Sequence, residues 1–204
     1  MAKSNKSWLH RQEKDPYAKQ ARASHYRSRA AYKLSEIDKK DKLFRNVQTV
    51  VDVGASPGSW SQYASEQLGP QGKIVAVDIL PMEPVDKVLF IEGDFTEDEV
   101  VQACMSGLNG ARADLVLSDI APNLSGVRSS DQARSMYLAE LVLSFSDEVL
   151  SPGGDILVKL FQGEGTDQFK KELANRFQKV MVRKPQASRD SSREFYVLAR
   201  GYQV

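Results

Sequence analysis

Thr49-Val50-Val51-Asp52-Val53-Gly54-Ala55-Ser56-Pro57-Gly58-Ser59-Trp60-Ser61-Gln62 decides the fold class of this chain. β-Branched residues lead into an acid, then a glycine turn, then a segment with helical spacing. That order predicts a buried parallel strand, a tight loop and a helix N-terminus, the opening of a nucleotide-binding α/β sheet. Gly54 lets a ligand approach the backbone closely, and the loop N–H groups point at whatever binds there. Many βα connections carry a glycine, so the turn alone does not define a cofactor site.

Outward from this stretch, short apolar runs at 73–78, 88–92, 114–119 and 155–161 read as further buried strands. Helices are expected over 28–40, where Ala30, Ala31, Leu34 and Ile37 form one stripe, and over 59–68, closed by Gly69-Pro70. Thr96 reads as the N-cap of a helix reaching 106, with Asp98 and Glu99 in its first turn. Residues 124–130, holding Gly126 and serines, read as a mobile loop. A long helix over 132–150 stops at Ser151-Pro152-Gly153-Gly154, and another spans 167–176. Strands over 179–183 and 195–199 close the chain, joined by a polar loop. Strands alternate with helices until the last two sit together, which predicts a doubly wound, mostly parallel seven-stranded α/β sheet with an antiparallel edge strand.

A chain of 204 residues suits one domain with a substantial core. Hydrophobic residues at 41% and charged residues at 27% fit an ordinary globular protein. No apolar run approaches the ~20 residues of a membrane span, and the polar, basic N-terminus does not read as a secretory signal; a cytoplasmic location and no membrane partner are expected. Cys104 is alone, which excludes an internal disulfide and suits a small buried position. One cysteine and two histidines, His10 and His25, are too few for a zinc site, so no metal is expected.

Charge is lopsided. Residues 1–33 carry nine lysines and arginines against Glu13 and Asp15, a net +7, and the other 171 residues carry −6. A basic arm over 1–27, preceding a catalytic domain over 28–204, points to a polyanionic partner touched at one end. Trp8, Tyr17 and Tyr26 among the cations suit stacking on unpaired bases, or equally anchoring of the arm to the body. A solvated tail is the plainer alternative.

Ligands of such sheets bind at the carboxyl ends of the strands, near the point where strand order reverses. Asp78, Asp94 and Asp119 stand at three successive strand ends, placed for ribose hydroxyls, for a base, and beside Gly54. Any one of them alone reads as a loop cap. Together after a glycine turn they point to an adenosine-containing cofactor. NAD requires G-x-G-x-x-G, and Ala55-Ser56-Pro57 follows Gly54 instead; a P-loop is also missing. One adenosine without phosphates, as in S-adenosylmethionine, fits better. Lys159 inside a central strand is costly to bury unless a carboxylate answers it, and Asp119 is the candidate partner. Apolar surroundings and a nearby cation weaken a lysine's hold on its proton, whereas a carboxylate strengthens it. Lys33, beside the apolar stripe of its helix, reads by itself as a snorkelling surface lysine.

Five motifs carry a family resemblance: Ser28-Arg29-Ala30-Ala31-Tyr32-Lys33-Leu34, Asp52-Val53-Gly54-Ala55-Ser56-Pro57-Gly58-Ser59-Trp60-Ser61, Ser118-Asp119-Ile120-Ala121-Pro122-Asn123, Val158-Lys159-Leu160-Phe161-Gln162-Gly163-Glu164-Gly165 and Ser192-Arg193-Glu194. From about Trp8 onward the chain resembles the FtsJ (RrmJ) family of S-adenosylmethionine-dependent RNA ribose 2′-O-methyltransferases. The resemblance implies a Rossmann-like class I methyltransferase fold and a catalytic tetrad of Lys33, Asp119, Lys159 and Glu194. It also implies cofactor contacts at Gly54, Gly58, Trp60, Asp78, Asp94 and Asp119. The implied substrate is a uridine ribose in the A-loop of 23S ribosomal RNA, within the large subunit, rather than DNA. Ser56 and Ser59 depart from the Ala and Gly that bacterial members often carry. Basic residues of the arm, with Arg183, Lys184, Arg189 and Arg193, would form a phosphate track toward Lys159. A methyltransferase for another RNA, such as a transfer-RNA anticodon loop, and a non-catalytic RNA-binding assembly factor are the alternatives.

Overall fold

The structure is a computed structural model that describes residues 15–189 and 192–203. The described residues form one sheet from β1 (Thr49–Val53), β2 (Lys73–Asp78), β3 (Val88–Glu92), β4 (Ala113–Ser118), β5 (Leu150–Phe161), β6 (Phe177–Arg183) and β7 (Glu194–Tyr202). The helices are α1 (Pro16–Ala23), α2 (Ala30–Asp41), α3 (Ser59–Gln67), α4 (Asp98–Gly107), α5 (Arg128–Val149) and α6 (Thr166–Arg176).

Strand order is β3-β2-β1-β4-β5-β7-β6. The chain builds outward from β1 through β2 and β3, then returns to place β4 on β1's other side. The reversal between β1 and β4 is the crevice that a doubly wound sheet offers a ligand. The expected antiparallel pairing falls at the sheet's edge, where β7 inserts between β5 and the outermost β6.

Side chains alternate across each strand, so the sheet carries a core on both faces. Val51, Val53, Val77, Phe145 and Ile156 pack on one face together with Cys104, which is fully buried as expected. Val50, Leu115, Leu117, Leu157 and Tyr196 pack on the other, against Leu34 and Ile37 of α2 and Trp60 and Tyr63 of α3.

Two local expectations need correction. Helix α4 is capped at Glu97, not Thr96; the Asp94 carboxylate instead accepts the Thr96 N–H and hydroxyl at 2.9 and 2.8 Å. The stretch read as a mobile loop is partly helix, because α5 begins at Arg128. What remains is tied by Asp131, which accepts the Ser125 N–H and hydroxyl and the Gly126 N–H. Helix α1 is regular, and its Ala18 and Ala21 are buried. Tyr17 of α1 packs on Tyr32 of α2 with ring centroids 5.8 Å apart. The remainder of the predicted basic arm, residues 1–14 with Trp8, lies outside the described residues.

Several cations expected to hold phosphates instead hold the fold. Arg183 makes a forked pair with Asp41 at 2.7 and 2.6 Å. Lys184 donates to the carbonyls of Ser192 and Glu194. Arg29 pairs with Asp15 and donates to the Ala187 carbonyl, and Arg27 donates to three carbonyls at Pro57, Glu83 and Pro84. Arg183→Ala should therefore cost about 2 kcal/mol of stability in urea unfolding, the worth of charged hydrogen bonds to a sheltered carboxylate.

Candidate active site

Two ion pairs form the centre of the site. Lys159 of β5 lies opposite Tyr196 of β7, and Phe161 lies opposite Glu194, so the register of this strand pair brings Lys159 and Glu194 to one end of the sheet. Lys159 Nζ is 3.0 Å from Asp119 Oδ1 and also donates to the Asp119 carbonyl. Lys33 Nζ, reaching in from α2, is 2.6 Å from Glu194 Oε1. The two pairs sense each other. Burial alone would raise the Asp119 pKa, but the ammonium groups of Lys159 and Lys33 outweigh it and hold the carboxyl below its ordinary value. Burial likewise raises Glu194, and Lys33 brings it below normal.

The reading of Lys33 as a surface lysine fails. Its side chain is 12% exposed, with the ammonium 5.8 Å from the centre of the Tyr196 ring. The apolar stripe of α2 packs on the sheet, and Lys33 lies on the flank turned toward β7. Sequence spacing cannot show what that flank meets.

Tyr196 is a site residue that the motifs do not single out. It is fully buried, and its hydroxyl donates to Asp119 Oδ1 at 2.8 Å. Burial, then the Asp119 charge, pushes its pKa far above the usual phenol value, so it remains a donor. Its signal in the sequence is the strand period: two residues after Glu194 falls on the same face.

A cleft of about 350 Å³ adjoins these pairs, lined by Gly54, Asp78, Asp94 and Asp119 among others. Four predicted cofactor residues thus converge. The Asp78 carboxylate accepts the N–H groups of Ser56 and Leu80, both at 2.9 Å, so it shapes the glycine loop as well as facing the cleft. Gly54 is required by geometry: a Cβ there would stand 2.6 Å from Ile120 Cα, at φ +81°. Gly58 and Trp60 lie apart from this lining. Gly58 is covered by Arg27 and Met82. The Trp60 ring is buried, donates to the Ala30 carbonyl at 2.9 Å and stacks near Tyr196 at 5.6 Å. The indole thus braces α2 and Tyr196, and the backbone N–H in the first turn of α3 is what Trp60 offers a ligand. Ser56 and Ser59 fit without distortion, Ser56 through its N–H to Asp78 and Ser59 through a 2.6 Å bond with Ser28.

Asp52 lies beneath the loop, wholly buried. One oxygen accepts the Ser61 hydroxyl at 2.6 Å, and the other has no hydrogen-bond partner. Burial, opposed by the Ser61 hydroxyl and reinforced by the Asp119 and Asp78 charges, pushes its pKa up to about 7. The cleft and its floor are thus acidic, and its ionisable lining contains no lysine or arginine. Such a lining suits hydroxyls and positive charge and repels phosphates.

Two outcomes follow from this geometry. Between the ordinary carboxylate pKa and 7, native Asp52 holds a proton that the unfolded chain has released, so its contribution to stability falls as pH rises. The melting temperature of Asp52→Asn relative to the parent should then climb from pH 5 to about pH 7 and level off above it. Gly54→Ala should lose about 1–3 kcal/mol in urea unfolding, because its Cβ meets backbone atoms in a strained conformation.

The FtsJ-like methyltransferase family matches residues 26–202 of the chain. A protein of Pseudomonas aeruginosa named ribosomal RNA large subunit methyltransferase E is 52% identical over 201 residues, covering 98% of this chain and 97% of its own length. A protein of the same name from Marinobacter nauticus is 51% identical over 203 residues, covering 100% of this chain and 98% of its own. A crystal structure from Plasmodium falciparum, named as a ribosomal RNA methyltransferase, superposes with a TM-score of 0.77 at 31% identity, covering 87% of this chain and 98% of its own. With its motifs, its sheet and nearly its whole length in agreement, the chain belongs to the FtsJ-like methyltransferase family.

Proposed function

We propose that the protein is an S-adenosylmethionine-dependent ribose 2′-O-methyltransferase acting on ribosomal RNA of the large subunit in the cytoplasm. The observation that carries the reading is the meeting of two lysine–carboxylate pairs with an acid-lined cleft at the carboxyl ends of β1, β4 and β5. The names of the relatives support the RNA, and the sequence resemblance points further, to a uridine ribose in the A-loop of 23S RNA. Bound S-adenosylmethionine supplies a methyl group already activated on a sulfonium. The cleft residues fit that donor, because Gly54 lines the cleft with bare backbone and Asp78, Asp94 and Asp119 offer acceptors for hydroxyl and ammonium groups.

The chain's own task is alignment and removal of a proton, since a ribose hydroxyl is a weak nucleophile. Lys159 is the group placed to hold the 2′-oxygen; as a neutral amine, its own proton first released to solvent, it takes up the hydroxyl proton as the bond to carbon forms. Asp119 fixes Lys159 from one side and is itself fixed by the Tyr196 hydroxyl. Lys33, steadied by Glu194, is placed to meet the ribose or its phosphate. A non-catalytic RNA-binding role has no need for an ammonium group sheltered in a central strand, where each unpaired charge costs several kcal/mol.

The test is incubation with labelled S-adenosylmethionine and a panel of RNAs and ribosomal subunits, followed by mapping of the methylated ribose. Label on a large-subunit ribose supports the reading, and label only on transfer RNA would replace it. Lys159→Ala should lower single-turnover methyl transfer at least a hundredfold while calorimetric affinity for the donor stays within a few-fold. Transfer at the parental rate would remove Lys159 from the chemistry.

A further inference from the structure

The described residues leave few large apolar side chains in solvent, and two of the most exposed lie on one short loop. Leu124 is 69% exposed and Val127 58%. The loop continues directly from Asp119 through Pro122 and Asn123, which line the acidic cleft, yet neither Leu124 nor Val127 lines it. It runs into Arg128, which with Arg193 and Gln132 borders a second cavity of about 530 Å³. Arg193 is the chain neighbour of Glu194, so this second cavity borders the strand end that carries the Lys33–Glu194 pair.

The loop is held in this exposed state. Asp131 accepts the Ser125 N–H at 2.8 Å, the Ser125 hydroxyl at 2.7 Å and the Gly126 N–H at 3.1 Å, and the Ser125 oxygen accepts the Val127 N–H at 3.2 Å. The Ser125 N–H and hydroxyl, with the Gly126 N–H, hold the Asp131 carboxyl below its ordinary pKa. Burying an aliphatic side chain is worth about 1.5–3 kcal/mol, which makes two such side chains exposed on one loop a candidate contact surface. A carboxylate props them in water beside a site for a polymeric substrate.

We propose that Leu124 and Val127 form an apolar platform for an unpaired base of the RNA substrate, next to the nucleotide whose ribose is methylated. The adjoining phosphates enter the cavity bordered by Arg128 and Arg193. Exposed Arg128 and Arg134 follow the platform along α5, a cationic setting that favours a polyanion over a second copy of this chain. Bases need not be read by hydrogen bonds here, because every base offers a face for apolar contact. The inference rests on the proposed methylation of large-subunit RNA and adds how the strand is held.

The experiment measures binding of the parent and of a Leu124→Ser/Val127→Ser double variant to two probes. One is a protein-free RNA fragment around the mapped ribose; the other is the unmethylated large subunit. Affinity for both should fall on the order of tenfold, as expected for losing apolar contact. The slope of log K against log salt should not change, and calorimetric affinity for S-adenosylmethionine should not change either. Arg128→Ala should instead flatten the salt slope by about one contact. Leu124→Met/Val127→Ile should restore parental binding. Parental affinity of the serine variant for both probes would overturn the platform. A loss seen only with assembled subunits would assign the loop to a ribosomal protein, and a loss of donor affinity would assign it to the cleft. If the parent methylates no large-subunit ribose, the proposed function fails with it; if the parent methylates and the serine variant does so equally well, only the platform fails.

Discussion

One ammonium group in the middle of a sheet governs much of this structure. Lys159 stands in β5 among residues that are wholly apolar on both sides, with only 8% of its side chain exposed. Burying such a charge alone costs several kcal/mol, so a partner must be built for it. Asp119 meets that demand twice, with its carboxylate and with its carbonyl. Asp119 in turn must stay ionised while largely sheltered, which requires the Tyr196 hydroxyl and the second cation, Lys33. Lys33 is balanced by Glu194, and Lys184 helps hold the Glu194 backbone. Each member makes the next affordable, and removing one exposes another as an uncompensated charge.

The antiparallel strand is what makes this chain of dependence possible. A parallel neighbour of β5 would need a long crossover and would present its own carboxyl end at the same edge. β7 arrives from the opposite direction, so its first residues, Glu194 and Tyr196, meet the last residues of β5. Lys159 and Glu194, 35 positions apart in the chain, thereby come to one end of the sheet, where Glu194 meets Lys33 from a helix before the first strand. Trp60 secures that helix through the Ala30 carbonyl and presses on Tyr196. The site is therefore assembled from four distant parts of the sequence and braced from behind by an indole.

Charge is divided by task. The cleft is acidic, with Asp52 beneath it and Asp78, Asp94 and Asp119 around it, a lining that suits hydroxyls and positive charge. Most of the arginines near the site that can be described are occupied as staples, Arg27, Arg29 and Arg183 among them. Arg128 and Arg193 border a separate cavity.

The sequence alone determined the alternation of strands and helices, the glycine turn and the acids at strand ends, because these follow from local rules: β-branched runs, a required positive φ, and short-range caps. It also determined which four residues form the tetrad's candidates, through motif likeness. Only the tertiary structure decided that Lys33 is sheltered rather than on the surface, since helical spacing does not reveal which flank a neighbouring strand covers. It alone decided that the Trp60 ring is a brace, that Tyr196 joins the site, and that Arg183 serves Asp41, 142 residues away. These are long-range pairings, and a side chain's role there depends on which partner the fold brings within about 3 Å, a quantity that no local pattern contains.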